Sequence, residues 1–255
     1  GKTIFPEDFY RIQAQGTDIK TYHINQYMFR ENFEPYAKAG DEVLYMCFST
    51  GIAGTFNAAN LAKEELLEEY PEFALTIIDT KCASLGFGLA VEKILRMQAN
   101  GAPKDLIIEA AQFFCEHMEH IVTVETLEYL YKGGRLSRTS AVLGGVLDLK
   151  PIIEVNDDGA LVAIEKVRGR HKSLKRCVEL VGERGVELDK QVIGVVHGND
   201  PETCEKVSAM LMEKYHCRGI IKSWVGCAIG AHTGPGIIGI VFLSASEEKY
   251  AEYLK

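Results

Sequence analysis

Apolar and polar positions along this chain fall into blocks that read alternately as strands and helices. Val43–Phe48 is a continuous apolar run closed by Ser-Thr-Gly, the pattern of a buried strand. Asn57–Tyr70 then carries Ala, Leu and Glu at helical spacing and stops at Pro71. Leu75–Ile78 predicts a second short strand. Leu89–Gln98 and Asp105–His117 predict helices divided by Asn100-Gly101-Ala102-Pro103, and Ile121–Val124 predicts a third strand. The order β-α-β-α-α-β favours a parallel, Rossmann-like sheet with helices on its faces. The later half opens with Pro151–Val155 and Leu161–Val167 flanking Asn156-Asp157-Asp158-Gly159, a hairpin signal. A helix over Ser173–Gly182, a strand over Val192–Val196, a helix over Glu202–Tyr215 and strands over Ile220–Val225 and Ile237–Leu243 complete a mixed sheet with helices. The expected fold is α/β in two α/β domains, residues 1–130 and 131–255, joined where Gly133, Gly134, Gly144 and Gly145 cluster.

A length of 255 residues suits two modest domains, and 47% hydrophobic with 25% charged residues is a globular profile. The net charge of −8 opposes general nucleic-acid binding, which needs a basic surface to displace counterions. Against that background Lys166–Arg176 stands out, with six Lys/Arg and no acid, near Lys132, Arg135 and Arg138. Such an island suits phosphates or an acidic partner, and equally a solvated helix face. The seven cysteines are scattered, odd in number and without a C-x-x-C pair. That argues against a disulfide scaffold and for a reducing compartment, so a cytoplasmic location is expected. No apolar run approaches the roughly 20 residues of a membrane span, and no signal-peptide pattern opens the chain.

Two glycine-containing turns are candidates for chemistry. Ser49-Thr50-Gly51-Ile52-Ala53-Gly54-Thr55 leads from a strand into a helix, where backbone N–H groups and the helix dipole favour an anion. It lacks the lysine of a P-loop, so a single carboxylate fits better than a triphosphate. An ordinary strand-to-helix turn fits it as well. Gly230–Gly236 holds His232 and Thr233 ahead of an apolar strand, and reads as a loop in which the imidazole either meets an anion or is structural. His117 and His120 lack further zinc ligands and read as surface histidines. A triad from Ser49, His197 and His232 lacks the G-x-S-x-G elbow. No catalytic residue, metal or cofactor is assigned.

Four blocks run in one order across nearly the whole chain. They are Ile78-Asp79-Thr80 with Ser84-Leu85-Gly86 and Gly88; Thr126–Ser137 with Leu149–Ile153; Lys166–Arg170; and Gly234-Pro235-Gly236. Together they resemble the DegV family. The resemblance implies a two-domain α/β protein holding a long-chain fatty acid, with its carboxylate at the interdomain cleft and its tail in an apolar tunnel. It also implies a separate fatty acid kinase that phosphorylates the presented carboxylate, and only transient membrane contact for lipid exchange. The family's first strand, with an Asp-Ser turn, has no counterpart before Phe5.

By the same resemblance the carboxylate contacts fall on Thr21 and His232, and a third, usually serine, falls on Ala53. Thr21-Tyr22-His23-Ile24-Asn25 stands where the family has Thr-Ser-Gln-Pro-Ser, and Ala53 removes one hydroxyl while Tyr22, His23 and Asn25 arrive. The change implies a weaker carboxylate grip, compensation by His23 or Asn25, or another amphiphile as ligand. The ligand set is therefore Thr21, His23, Asn25, Ser49, Ala53, Gly54, Thr55, Ser84, His232 and Thr233. Arg135, Arg168 and Arg170 are the implied kinase-docking residues. Two other readings stand beside the carrier. One is an enzyme, a phosphotransferase or acyl hydrolase using the Ser49–Thr55 turn, and the other a regulatory protein that senses a lipid.

Overall fold

The computed structural model describes residues 3–136 and 148–255. Ser137, Arg138, Gly144 and Gly145 lie outside them. The chain starts with two helices outside every predicted element. α1 (Pro6–Ala14) begins on proline with Glu7 and Asp8 in its first turn, both favourable at a helix N-terminus. α2 (Gln26–Ala39) is capped by Asn25, whose side chain accepts the Met28 N–H, and stops at left-handed Gly40. β1 (Val43–Cys47), α3 (Thr55–Glu69) and β2 (Leu75–Asp79) follow as a right-order strand-helix-strand unit, and the strands pair in parallel from Val43↔Leu75 to Cys47↔Asp79. Phe29 and Phe33 of α2, Ala59 and Leu66 of α3, and Phe73 form the core on one side of this small sheet.

α4 (Ser84–Ala99) and α5 (Lys104–Glu116) come next, and β3 (Met118–Thr123) after them. β3 was expected as a third parallel strand beside β2. It lies instead in a six-stranded sheet, antiparallel to both neighbours. The physical reason is the double helix connection. One crossover helix returns the chain parallel to its strand, whereas a helical hairpin reverses it again and delivers it elsewhere.

The larger sheet is completed by α6 (Glu128–Lys132), β4 (Leu149–Val155), β5 (Leu161–Arg168), α7 (Arg170–Arg184), β6 (Val192–His197), α8 (Pro201–Tyr215), β7 (Gly219–Trp224), α9 (Cys227–Thr233) and β8 (Ile238–Leu243). Its order is β5-β4-β3-β8-β6-β7, antiparallel except for the parallel β6–β7 pair. One face packs on α7 and α8 through Ile121, Val195, Cys177, Val181 and Leu211. The molecule is thus mixed α/β, with a small parallel sheet and a larger mixed sheet.

The sequence predicts a loop over Gly230–Gly236, but His232 and Thr233 form the last turn of α9. The short helix is poor in helix formers and is held by tertiary contact. Tyr10 of α1 donates its hydroxyl to the Val225 carbonyl at 3.0 Å, and Gln13 donates to the Gly230 carbonyl at 2.9 Å. A Cβ on Gly230 would press within 3 Å of the Tyr10 ring, so only glycine admits α1 there.

Candidate functional site

The face of the large sheet opposite α7 and α8 does not close on side chains alone. It floors a cavity of about 400 Å³ whose roof comes from residues 21–24, the Phe48–Thr55 turn and Ala83–Ser84. Period-two alternation explains the floor. His120, Val122 and Val124 point into it from the β3 line, while Ile121 points into the opposite core. Ile237, Gly239 and Val241 along β8, and Ile153 and Val155 of β4, continue the lining. Most of these groups are hydrocarbon.

Polar groups gather at the Val124 end. Thr21 Oγ1 lies 2.7 Å from His232 Nε2, and both residues line the cavity. Arg135 lines it too, with one guanidinium N–H on the Gly133 carbonyl at 2.7 Å. Burial and the adjacent Arg135 charge push the His232 imidazole below its ordinary range, so it is neutral at pH 7. His232 Nδ1 is buried without a hydrogen-bond partner against Gly133, where a Cβ would overlap it. An unpaired acceptor is less costly there than an unpaired N–H, which favours a proton on Nε2. Nε2 then donates to Thr21, and the Thr21 hydroxyl proton remains for a ligand. Arg135 Nε and Thr55 Oγ1 are also buried and unpartnered, the latter beside the Cys47 thiol.

The remaining residues of the predicted set are distributed unevenly. Ala53, Thr55, His23 and Thr233 line the same cavity, with His23 seated over Gly54. Ser84 lines it at the opposite end, next to Ala83 and His120. Ser49 is fully buried outside the lining, and its hydroxyl donates to Gly159 at 2.6 Å. Asn25 is outside the lining, as the α2 cap. The turn's N–H groups are largely engaged already: Thr50 donates to Asp79, and Ile52 and Ala53 to the Ser49 carbonyl. Of the arginines, Arg168 is exposed at the end of β5, whereas Arg170 is paired with Glu125 at 3.0 Å and bonded to the Gly236 carbonyl.

His120 corrects the surface reading. It is 3% exposed and lines the cavity, accepting the Ala83 N–H at Nε2 and donating from Nδ1 to the Met118 carbonyl. Burial lowers its pKa to about 4. His117 is half-buried and packs at a tilt against Phe113. His197 is buried on Trp224 and accepts the Asp200 N–H. The signal missed in the sequence was the alternation His120, Val122, Val124, which marks one strand face.

A small parallel sheet set over a larger mixed sheet, with an elongated apolar cavity between them and a polar pair at one end, defines a class of two-lobed α/β proteins. Residues 1–245 match the family described as "Uncharacterised protein, DegV family". The chain belongs to the DegV family. A DegV domain-containing protein of Clostridium perfringens is 37% identical over 243 residues, 95% of this chain and 84% of the relative. A fatty acid binding DegV family protein from Streptococcus agalactiae superposes with a TM-score of 0.81 at 26% identity, covering 96% of this chain and 86% of that one. The Streptococcus pneumoniae Fatty Acid Kinase B3 protein loaded with linoleic acid gives 0.84 at 19% identity, over 95% and 85%, a likeness of fold. Among the described residues no helix is long and apolar enough to cross a membrane.

Proposed function

We propose that this protein binds one long-chain fatty acid in the cavity between its sheets and presents the carboxylate to a separate fatty acid kinase. The observation that carries the reading is a single elongated, hydrocarbon-lined space with Thr21, His232 and Arg135 converging at one end. Each buried methylene contributes about 0.8 kcal/mol, so an acyl chain gains most of its affinity from the walls. A carboxylate leaving water needs hydrogen-bond donors and an opposite charge. The Thr21 hydroxyl and the Arg135 guanidinium supply them, while neutral His232 orients Thr21. Family membership and the fatty acids bound by structural neighbours support the same ligand class.

A carrier reading also agrees with the state of the nucleophiles. The Ser49 hydroxyl is engaged with Gly159 outside the cavity. Burial pushes the Cys47 and Cys177 thiols up, the latter to about 12, away from the reactive thiolate. Denaturing extraction of purified protein followed by lipid mass spectrometry tests the proposal. A stoichiometric acyl lipid is expected. Empty protein that also ignores added fatty acids in a thermal-shift assay would overturn it.

A further inference from the structure

The two ends of the cavity are chemically different, and only one of them is assigned above. At the far end from Thr21 and His232, the last inward-facing residue of β3 is His120. Four residues of extended chain separate it from Val124, about 13 Å at strand rise. Beyond His120 the same strand enters a hydrophobic core, where Met118 clusters with Leu89, Ala90 and Leu243. Of that core, Val241 reaches the cavity beside His120, whereas Met118, Leu89, Ala90 and Leu243 are outside its lining.

His120 is held there rigidly. Its Nε2 takes the Ala83 N–H at 3.2 Å and its Nδ1 donates to Met118 O at 3.0 Å, so both nitrogens are occupied by backbone. The ring lies against Gly86 in the first turn of α4, where a Cβ would overlap it. Ring and helix therefore fix each other's position, and the imidazole cannot swing aside without breaking two buried hydrogen bonds. With both nitrogens engaged, the ring offers the cavity its carbon surface. Val155 and Val241 flank it in the strand register, since Ile121 pairs with Glu154 and His120 pairs with Val241.

We infer that His120 is the end wall of the acyl cavity and sets the longest chain the protein accepts. The inference rests on the fatty-acid reading above and names the residue that selects within that ligand class. A wall fixed by backbone hydrogen bonds makes the length limit sharp, because a terminal methyl meeting it displaces a hydrogen-bonded ring rather than a mobile side chain.

The test is titration of delipidated protein with a homologous series of straight-chain saturated acids. Wild-type affinity should rise about fourfold per added methylene up to a limiting length and then stop rising or fall. His120→Ala should move that limit to longer acids. Because removing the ring leaves the Ala83 N–H unpaired, Val155→Phe serves as a second variant. It fills the same end from the neighbouring strand and should move the limit to shorter acids. Val122→Ala, in the middle of the floor, should leave the limit in place. A limit that is the same in wild type, His120→Ala and Val155→Phe, all of them binding, overturns this inference alone. No binding of any acid by the wild type overturns the carrier reading and this inference with it.

Discussion

Ser49 and Gly159, 110 residues apart in the chain, are joined by a buried hydroxyl-to-carbonyl hydrogen bond of 2.6 Å. The bond ties the strand-to-helix turn of the small sheet to the β4–β5 hairpin of the large one. Its neighbours reinforce it. Lys81 donates to the Asp157 carbonyl, and a Cβ on Gly51 or Gly159 would overlap the opposite side of the contact. Gly159 also needs a φ of +74°. Ser49→Ala leaves a buried carbonyl unpaired and should cost about 1–3 kcal/mol. Gly159→Ala adds a clash and left-handed strain of about 1–2 kcal/mol, and should cost more than Ser49→Ala. Urea midpoints should fall in that order with unchanged slope.

Thr21 and His232 act on a ligand as a unit. His232→Ala removes the group that orients the Thr21 hydroxyl, and Thr21→Val removes the donor itself. Loss of a hydrogen bond to a charged group is worth about 1.5–3 kcal/mol, so calorimetric affinity for a fatty acid should drop about ten- to a hundred-fold in either variant. The double variant should lose little more than one single variant. Additive losses would show that the two residues act separately.

Acid should destabilise the fold through its histidines. Burial holds His120 at about 4, against an ordinary value of 6.5. Between those values the unfolded chain takes up a proton that the folded chain refuses. The contribution is therefore complete above 6.5 and is lost progressively as pH falls towards about 4, at most about 1.4 kcal/mol per pH unit and about 3 kcal/mol in all. His197 and His232 are lowered by burial too and act in the same direction. Denaturation across that window should show the slope. His120→Gln should flatten it by one histidine's share, whereas an unchanged slope would assign the acid sensitivity to groups other than His120.

The arginines should separate into two roles. Arg168→Glu reverses an exposed charge and should abolish kinase-dependent phosphorylation with lipid affinity intact. Arg135→Gln removes a cavity-lining charge and should weaken lipid binding first. Assays of binding and of phosphorylation on both variants distinguish these outcomes.

Strands were the most legible part of the sequence. Runs such as Val43–Phe48 and Ile237–Leu243 carry their own signal, and the hairpin is announced by Asn156–Gly159. α1 and α9 were not legible, because Tyr10, Gln13 and Gly230 stabilise each other only after the chain has brought them together. The sheet membership of β3 was hidden for the same reason, since pairing partners are not written in a strand's own residues. At the site, Thr21 and His232 came from family resemblance. The lining did not, because inward-facing Val122, Ile153 and Ile237 look like any core residues until a space is seen beside them.

α1 and α4 both pack on the elements of the large sheet, although α2, β1, α3 and β2 between them do not belong to it. The small sheet is thus an insert tethered by two separate chain crossings, one through residues 16–25 and the other through residues 80–83. Two tethers restrict such an insert to rotation about the line that joins them, and the Ser49–Gly159 bond with the Lys81 contact opposes that rotation. Both crossings run beside the cavity, at Thr21–Ile24 and at Ala83. With that bond in place the roof is held over the floor at three points, the two crossings and the hairpin.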